Sequence, residues 1–381
     1  MDSLRLMDSN PGVVFQSSVQ RMFMHSGFML RFFKAVEYEV VTPPVAHFGS
    51  SGGALAASST INKKSLYKFL YILRDLTPNQ IFSYDKWLKG ILVLEVLQSL
   101  SSLLSDEAVR KIIDVLSQEK GFTFIKHIKS FIPILRFTRP AVSMGVKALL
   151  LHRFVNLEAI LDNSPLRRLI DDNMEEEIFA HSTIKLHVGA TNIRTGKLEK
   201  FTNYEAQDVG NKKRLVSAIL ASAGLPVYFP LTDVDGEKYV DAALVSSAPI
   251  DWAREKGCNP IWLLSYTGLG QREKKKKYET WFDILYRSLD IVITEHTRVV
   301  VEEHMRTNND LKLARERGID TEGFSFHGKQ ETELILVQTS ETMPEVDIHD
   351  LDSQNKERLI EIGYACCEDT IRTRLATGLP M

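Results

Sequence analysis

Five residues, Gly49-Ser50-Ser51-Gly52-Gly53, fit the pattern G-x-S-x-G with Ser51 at the centre. A serine at the apex of a sharp strand-to-helix turn has a strained backbone. The residues two before and two after it must be small, or their side chains collide. Gly49 and Gly53 meet that need. A helix starting there aims its first amides, that of Gly52 among them, and its positive dipole end at the serine, where an oxyanion would form. Such a serine attacks an acyl carbonyl. A Gly/Ser-rich turn with no chemistry has the same composition, so context decides. Here the apolar run Pro44–Phe48 precedes the motif and the alanine-rich stretch Ala54–Ser59 follows it.

A serine nucleophile needs a base. A Ser-His-Asp arrangement calls for a histidine on a loop beyond the carboxyl end of a strand. His187 falls in mid-strand, His296 and His304 on a long helical pattern, and His327 and His349 in polar loops. His47 lies in the strand feeding the motif and reads as a core residue. A carboxylate that takes the serine proton directly is the alternative. Asp241 is the outstanding one, ending Lys238-Tyr-Val-Asp241 ahead of two small residues, Ala242 and Ala243. Its plain alternative role is to cap a turn.

The elements that must carry these residues follow from periodicity and breakers. Residues 12–16 read as a buried strand and Arg21 to Ala35 as a helix. Strand 44–48, turn and helix 54–59 continue the order of a parallel α/β sheet. Residues 61–183 are predominantly helical in pattern, read as an insertion or cap over 61–160 and a further helix near 163–180. Strand character returns at 185–191 and 198–202, with a helix over 215–223 closed by Gly224 and Pro226. A ribbon over 229–244 turns at Asp235-Gly236. A strand at 261–266, a helix over 281–306, a strand at 334–339 and a closing helix over 355–375 complete the chain. The fold class predicted is a three-layer α/β/α sandwich with a mostly parallel central sheet. It forms one domain over 12–381, with 278–381 supplying C-terminal helices and a strand.

The 381 residues are 44% hydrophobic and 25% charged, ordinary values for a globular protein. A net charge of -2 argues against a dedicated nucleic-acid binder. The 3 cysteines have neither zinc nor redox spacing and point to a reducing, cytoplasmic setting. No apolar run is long enough to span a membrane. Residues 122–154 interleave phenylalanine, isoleucine and leucine with lysine and arginine. That pattern suits transient peripheral contact with an anionic membrane surface, or a cap helix packed on the core.

Several blocks together resemble the patatin-like phospholipases. Gly49-Ser-Ser-Gly-Gly53 is similar to the family's nucleophile motif, and Tyr239-Val-Asp-Ala-Ala243 to its D-G-G/A motif. Between them, Ser164-Pro-Leu-Arg167, Ala190-Thr-Asn192 with Arg194-Thr-Gly196, and Ala221-Ser-Ala-Gly-Leu-Pro226 with Phe229-Pro230 match family blocks in the same order. Ser246-Ser-Ala-Pro249 and Ile360-Glu-Ile-Gly-Tyr364 do so further on. The resemblance implies a lipid acyl hydrolase acting on glycerolipid or phospholipid esters. Ser51 would be the nucleophile and Asp241 the base, with no metal or other cofactor; it names no protein partner. It also implies that the segment after the first strand supplies oxyanion and substrate contacts, which assigns Ser17, Ser18, Val19 and Arg21 to the site. Here the sequence departs from the family's glycine-rich loop, keeping the arginine but none of the loop glycines. Two rival expectations follow: a catalytically impaired relative that binds lipid or a protein, and a Ser-His-Asp carboxylesterase.

Overall fold

A computed structural model of the chain describes residues 10–17, 22–84, 159–175, 182–205, 211–265, 281–338 and 351–377. Two compact units are present. One comprises Met1–Ile81, Leu166–Leu225 and Leu231–Met381, the other Phe82–Pro165 with Pro226–Pro230.

The first unit is built on an eight-stranded sheet. β1 (Gly12–Phe15), β2 (Ala46–Gly49), β5 (Lys185–Asn192), β9 (Ile261–Leu264) and β10 (Leu334–Val337) run parallel in the order β10-β9-β1-β2-β5. Beyond β5 the sheet turns antiparallel, with β6 (Leu198–Thr202) and β8 (Glu237–Val240) both paired to it and β7 (Thr232–Val234) outside β8. The inner strands GVVF, AHFG and IWLL are buried at every position, as expected where helices cover both faces.

Alternation along the strands divides the core in two. Phe15 and Trp262 face α1 (Met22–Glu37), where Phe28 and Phe32 pack on the Trp262 ring and His25 meets Phe15 edge-on. Val14, Phe48 and Leu263 point to the opposite face and form a cluster with Trp252 of α7 (Ile250–Glu255) and Val301 of α8 (Trp281–Arg317). The mixed, mostly parallel sheet between two helical layers is the α/β sandwich expected from the sequence.

Helix α2 (Gly52–Ser59) lies against the sheet, and α3 (Lys63–Asp75) packs on α1 and on α9 (Ser353–Thr377). Residues 63–75, placed by sequence in the insertion, therefore belong to the first unit. The reason is local: Leu66, Phe69 and Leu73 form a buried stripe, and the buried Lys356 ammonium of α9 donates to the Arg74 and Leu76 carbonyls at the end of α3. α1 and α9 cross backbone to backbone. A Cβ on Gly27 would fall 1.9 Å from the Ile360 carbonyl oxygen, and one on Gly363 would fall 1.9 Å from that of Met24.

Further helices are α4 (Pro78–Ile81), α5 (Ser164–Asn173) and α6 (Lys212–Ser222). α6 starts ahead of its apolar stripe because the Asn211 side chain caps it by accepting from the Arg214 amide. α8 runs on past the expected 306 to Arg317, through residues that are mostly strong helix formers. The ribbon expected over 229–244 is shorter, because Ala242–Leu244 is a 3-10 turn capped by Asp241.

In the second unit β3 (Ser83–Tyr84) pairs antiparallel with β4 (Leu161–Asp162), and Ile160 and Leu161 donate to the carbonyls of Val227 and Tyr228. The cap beyond residue 84 and the apolar-basic stretch 122–154 lie outside the described residues. Among the described residues no helix is long and apolar enough to cross a membrane.

Candidate active site

Ser51 sits in the turn between β2 and α2 with φ 56 and ψ -132, a conformation that side chains disfavour by roughly 1–3 kcal/mol. The turn holds because Gly49 and Gly53 have no side chains. A Cβ on Gly49 would stand 2.5 Å from the Gly53 carbonyl oxygen, and one on Gly53 would stand 2.3 Å from that of Phe15. The alanines Ala54, Ala56 and Ala57 of α2 are fully buried, so the helix rides close on the sheet. One further contact pins the apex: the Ser51 N–H donates to the Ser222 hydroxyl at the end of α6, 3.0 Å away.

Asp241 reaches the same point from the opposite direction along the same edge of β5, since β6 occupies the other edge. Gly49 pairs with Val188 in parallel register, and Val240 pairs with Thr191 in antiparallel register. β2 therefore runs up β5 while β8 runs down it, and the residues that follow each strand converge over Gly189-Ala190. The Ser51 hydroxyl donates to Asp241 Oδ2 at 2.7 Å, with both residues buried.

Four contacts fix the aspartate. Its N–H donates to the Gly224 carbonyl at 3.0 Å, and its own carbonyl accepts from Thr191 Oγ1 at 2.9 Å. Oδ1 accepts from the Ala243 N–H at 2.8 Å, which leaves Oδ2 for Ser51. The carboxylate thus caps the 3-10 turn with one oxygen and holds the serine with the other. Ala242 and Ala243, which follow Asp241, are buried. Burial pushes the Asp241 pKa up to about 7, against the lowering by its hydrogen bonds from Ala243 and Ser51.

A family model for patatin-like phospholipases matches residues 13–254, well over half of the chain and inclusive of both site residues. The chain belongs to the patatin-like phospholipase family. Membership makes it a relative of lipid acyl hydrolases and agrees with the fold described above. Among solved structures, VipD from Legionella pneumophila is similar with a TM-score of 0.39 and 12% identity, over 96% of this chain and 67% of that one. The comparison with curated proteins returned no match.

The structure brings together Ser51, Asp241, Gly49, Gly52 and Gly53. Gly53 donates to Ser50 O, while the Gly52 N–H at the start of α2 has no acceptor among the described residues. Ser17 has both its N–H and its hydroxyl on the Ser247 carbonyl, at 2.8 and 3.0 Å, so its amide is occupied. Ser18, Val19 and Arg21 lie outside the described residues. Ser50, beside Ser51, is buried, and its hydroxyl has no hydrogen-bond partner among the described residues.

No histidine among the described residues bonds to Ser51. His47 faces the core with Nδ1 3.3 Å from the Ala57 carbonyl, and His187 is stacked on Phe48 and edge-on to Trp252. Burial lowers the pKa of His47 to about 4 and that of His187 to about 3. His296 accepts from the Ser247 N–H, and His304 lies against Arg254.

Sequence reasoning passed over Ser222, Thr191 and Gly224 as individual residues, though all three fall in blocks it singled out. The signal was their small size in buried positions. Their roles depend on partners far along the chain.

Proposed function

We propose that this chain hydrolyses carboxylic esters of glycerolipids, phospholipids among them, with Ser51 as nucleophile and Asp241 as its base. One observation carries the proposal: the 2.7 Å hydrogen bond from the Ser51 hydroxyl to a buried carboxylate whose other oxygen is already occupied. Ser51 Oγ attacks the acyl carbonyl carbon as its proton passes to Asp241 Oδ2. The carbonyl oxygen becomes an oxyanion, and the Gly52 N–H together with the positive end of α2 supports the negative charge. As the tetrahedral species collapses, the C–O bond to the glycerol side breaks, and the proton on Asp241 goes to the leaving alkoxide. An acyl ester on Ser51 remains. Water then attacks it as Asp241 takes the water proton, the bond from the acyl carbon to Ser51 Oγ breaks, and Asp241 returns the proton to Oγ as the fatty acid leaves.

Two features support a direct Ser–Asp pair over a histidine relay. The carboxylate occupies the position a histidine nitrogen would need, and its raised pKa matches a base working near neutral pH. The test is hydrolysis over a panel of phospholipids, galactolipids and neutral glycerides by wild type, Ser51→Ala and Ser50→Ala. Ser51→Ala is expected to abolish release of fatty acid, and Ser50→Ala to keep most of it. Equal activity of the two variants would remove Ser51 from the mechanism.

A further inference from the structure

A second site lies at the opposite end of the sheet. Ser51 follows the carboxyl end of β2, whereas a cleft of about 340 Å3 is lined by residues just ahead of β9 and β10. Asp251, Arg254 and Glu255 come from α7, and Lys329 and Gln330 from the turn before β10. The volume is at the lower end of that of small-molecule sites.

Arg254 sets its chemistry. The side chain is nine-tenths buried, with 7% exposed. Nη2 donates to His304 Nδ1 at 2.7 Å, to the His304 carbonyl at 3.3 Å and to Asn308 Oδ1 at 3.1 Å. None of these partners is charged: burial, with the Arg254 charge beside it, lowers the His304 pKa to about 4. Nε and Nη1 are buried and have no hydrogen-bond partner among the described residues. A buried guanidinium normally has a carboxylate in contact, because an uncompensated charge in low dielectric is costly. Asp251 and Glu303 act on Arg254 only through space. Glu255 is held by Lys200 at 2.7 Å. Lys329 adds an exposed cation to the cleft, and Asp251 adds an exposed acceptor.

We propose that the cleft binds a small hydroxylated phosphate ester. Its phosphate faces the Arg254 guanidinium and the Lys329 ammonium, placing an anion beside a guanidinium that has no carboxylate in hydrogen-bond contact among the described residues. Its hydroxyls donate to the Asp251 carboxylate and meet the Gln330 amide. Inorganic phosphate is the minimal ligand, and glycerol phosphate carries both recognised features.

Calorimetric titration on the full chain carrying Ser51→Ala tests this without hydrolysis entering the measurement. Glycerol phosphate is expected to bind more tightly than phosphate, and glycerol to show no binding. Lys329→Ala should weaken both anions about tenfold, since it removes one charge-assisted contact. Asp251→Asn should still bind phosphate and lose the preference for glycerol phosphate. Both variants are at exposed positions, so the test does not depend on Arg254 variants folding. Vesicles containing phosphatidic acid, titrated in competition with glycerol phosphate, separate a lipid headgroup from a free ester; the volume of the cleft favours the free ester. Absence of saturable binding, vesicle binding that glycerol phosphate does not displace, or equal affinities in wild type and Lys329→Ala would overturn the proposal.

Discussion

The Ser51 hydroxyl and the Asp241 carboxylate are 190 residues apart in the chain and 2.7 Å apart in the fold, and each is fixed from behind by a separate hydrogen bond. Ser222 holds the Ser51 amide, and the Ala243 amide holds the second Asp241 oxygen. The pair is therefore set before any substrate arrives.

Replacing Asp241 by asparagine keeps the shape and removes the proposed base. Ester hydrolysis is expected to fall at least ~100-fold, the scale of general-base help. Stability should move the other way. The native carboxyl has a pKa of about 7 against an ordinary 3.8, so the stability it contributes is present at acid pH and is lost as pH rises through 7. The amide avoids that loss. Thermal melts should show Asp241→Asn above wild type at about pH 8, with the difference vanishing near pH 4. A variant within a few-fold of wild-type activity would remove Asp241 as the base.

The pH profile follows from the same group. The base works only when ionised, so kcat/KM should be constant above about pH 7 and fall about tenfold per unit below it. An acid limb centred near 4 instead would mean that the carboxylate is solvated during catalysis.

Ser222→Ala removes the acceptor of the Ser51 amide and leaves a buried N–H unpaired. The expected stability loss is ~1–3 kcal/mol, with a fall in kcat larger than any change in KM, because the elbow and not lipid binding is disturbed. Ser222→Thr, which keeps the hydroxyl, should recover much of both. Unchanged melting and kinetics for Ser222→Ala would show that the elbow holds its shape without this contact.

Gly363→Ala puts a methyl group where only 1.9 Å separates it from the Met24 carbonyl oxygen, so α1 and α9 must part. We expect a loss of several kcal/mol, read as a drop in the denaturation midpoint, although the site is untouched. A melting curve like that of wild type would mean that the helices can slide apart freely.

Buried histidines set the acid limit of the fold. His25 and His47 have pKa values lowered to about 4 and His187 to about 3, all by burial. The unfolded chain takes up protons near pH 6.5 that the native chain refuses until far lower. Stability should fall as pH drops from about 6.5 toward 4, opposite in sign to the Asp241 contribution. Replacing His187 by phenylalanine should flatten that fall in pH-dependent melts.

The elbow was legible in the sequence because its requirements are local. Small residues at 49 and 53, an apolar strand before and alanines after are what a tight strand-to-helix turn demands of adjacent positions. The order of strands and helices was legible for the same reason, since periodicities of 2 and 3.6 are read within single elements. The extent of α3 and its place against α9 were not, because Lys356 reaches α3 from the far end of the chain. The choice of base was open to local reasoning: a carboxylate that caps a turn and one that takes a proton share one sequence context, and Asp241 does the first with Oδ1 and contacts Ser51 with Oδ2. Ser222 and Thr191 carried no sign of their partners. What decided these points was the register of β2 and β8 along one edge of β5, running in opposite directions toward Gly189-Ala190. Register between strands far apart in the chain depends on how the whole sheet packs, and only the folded structure contains it.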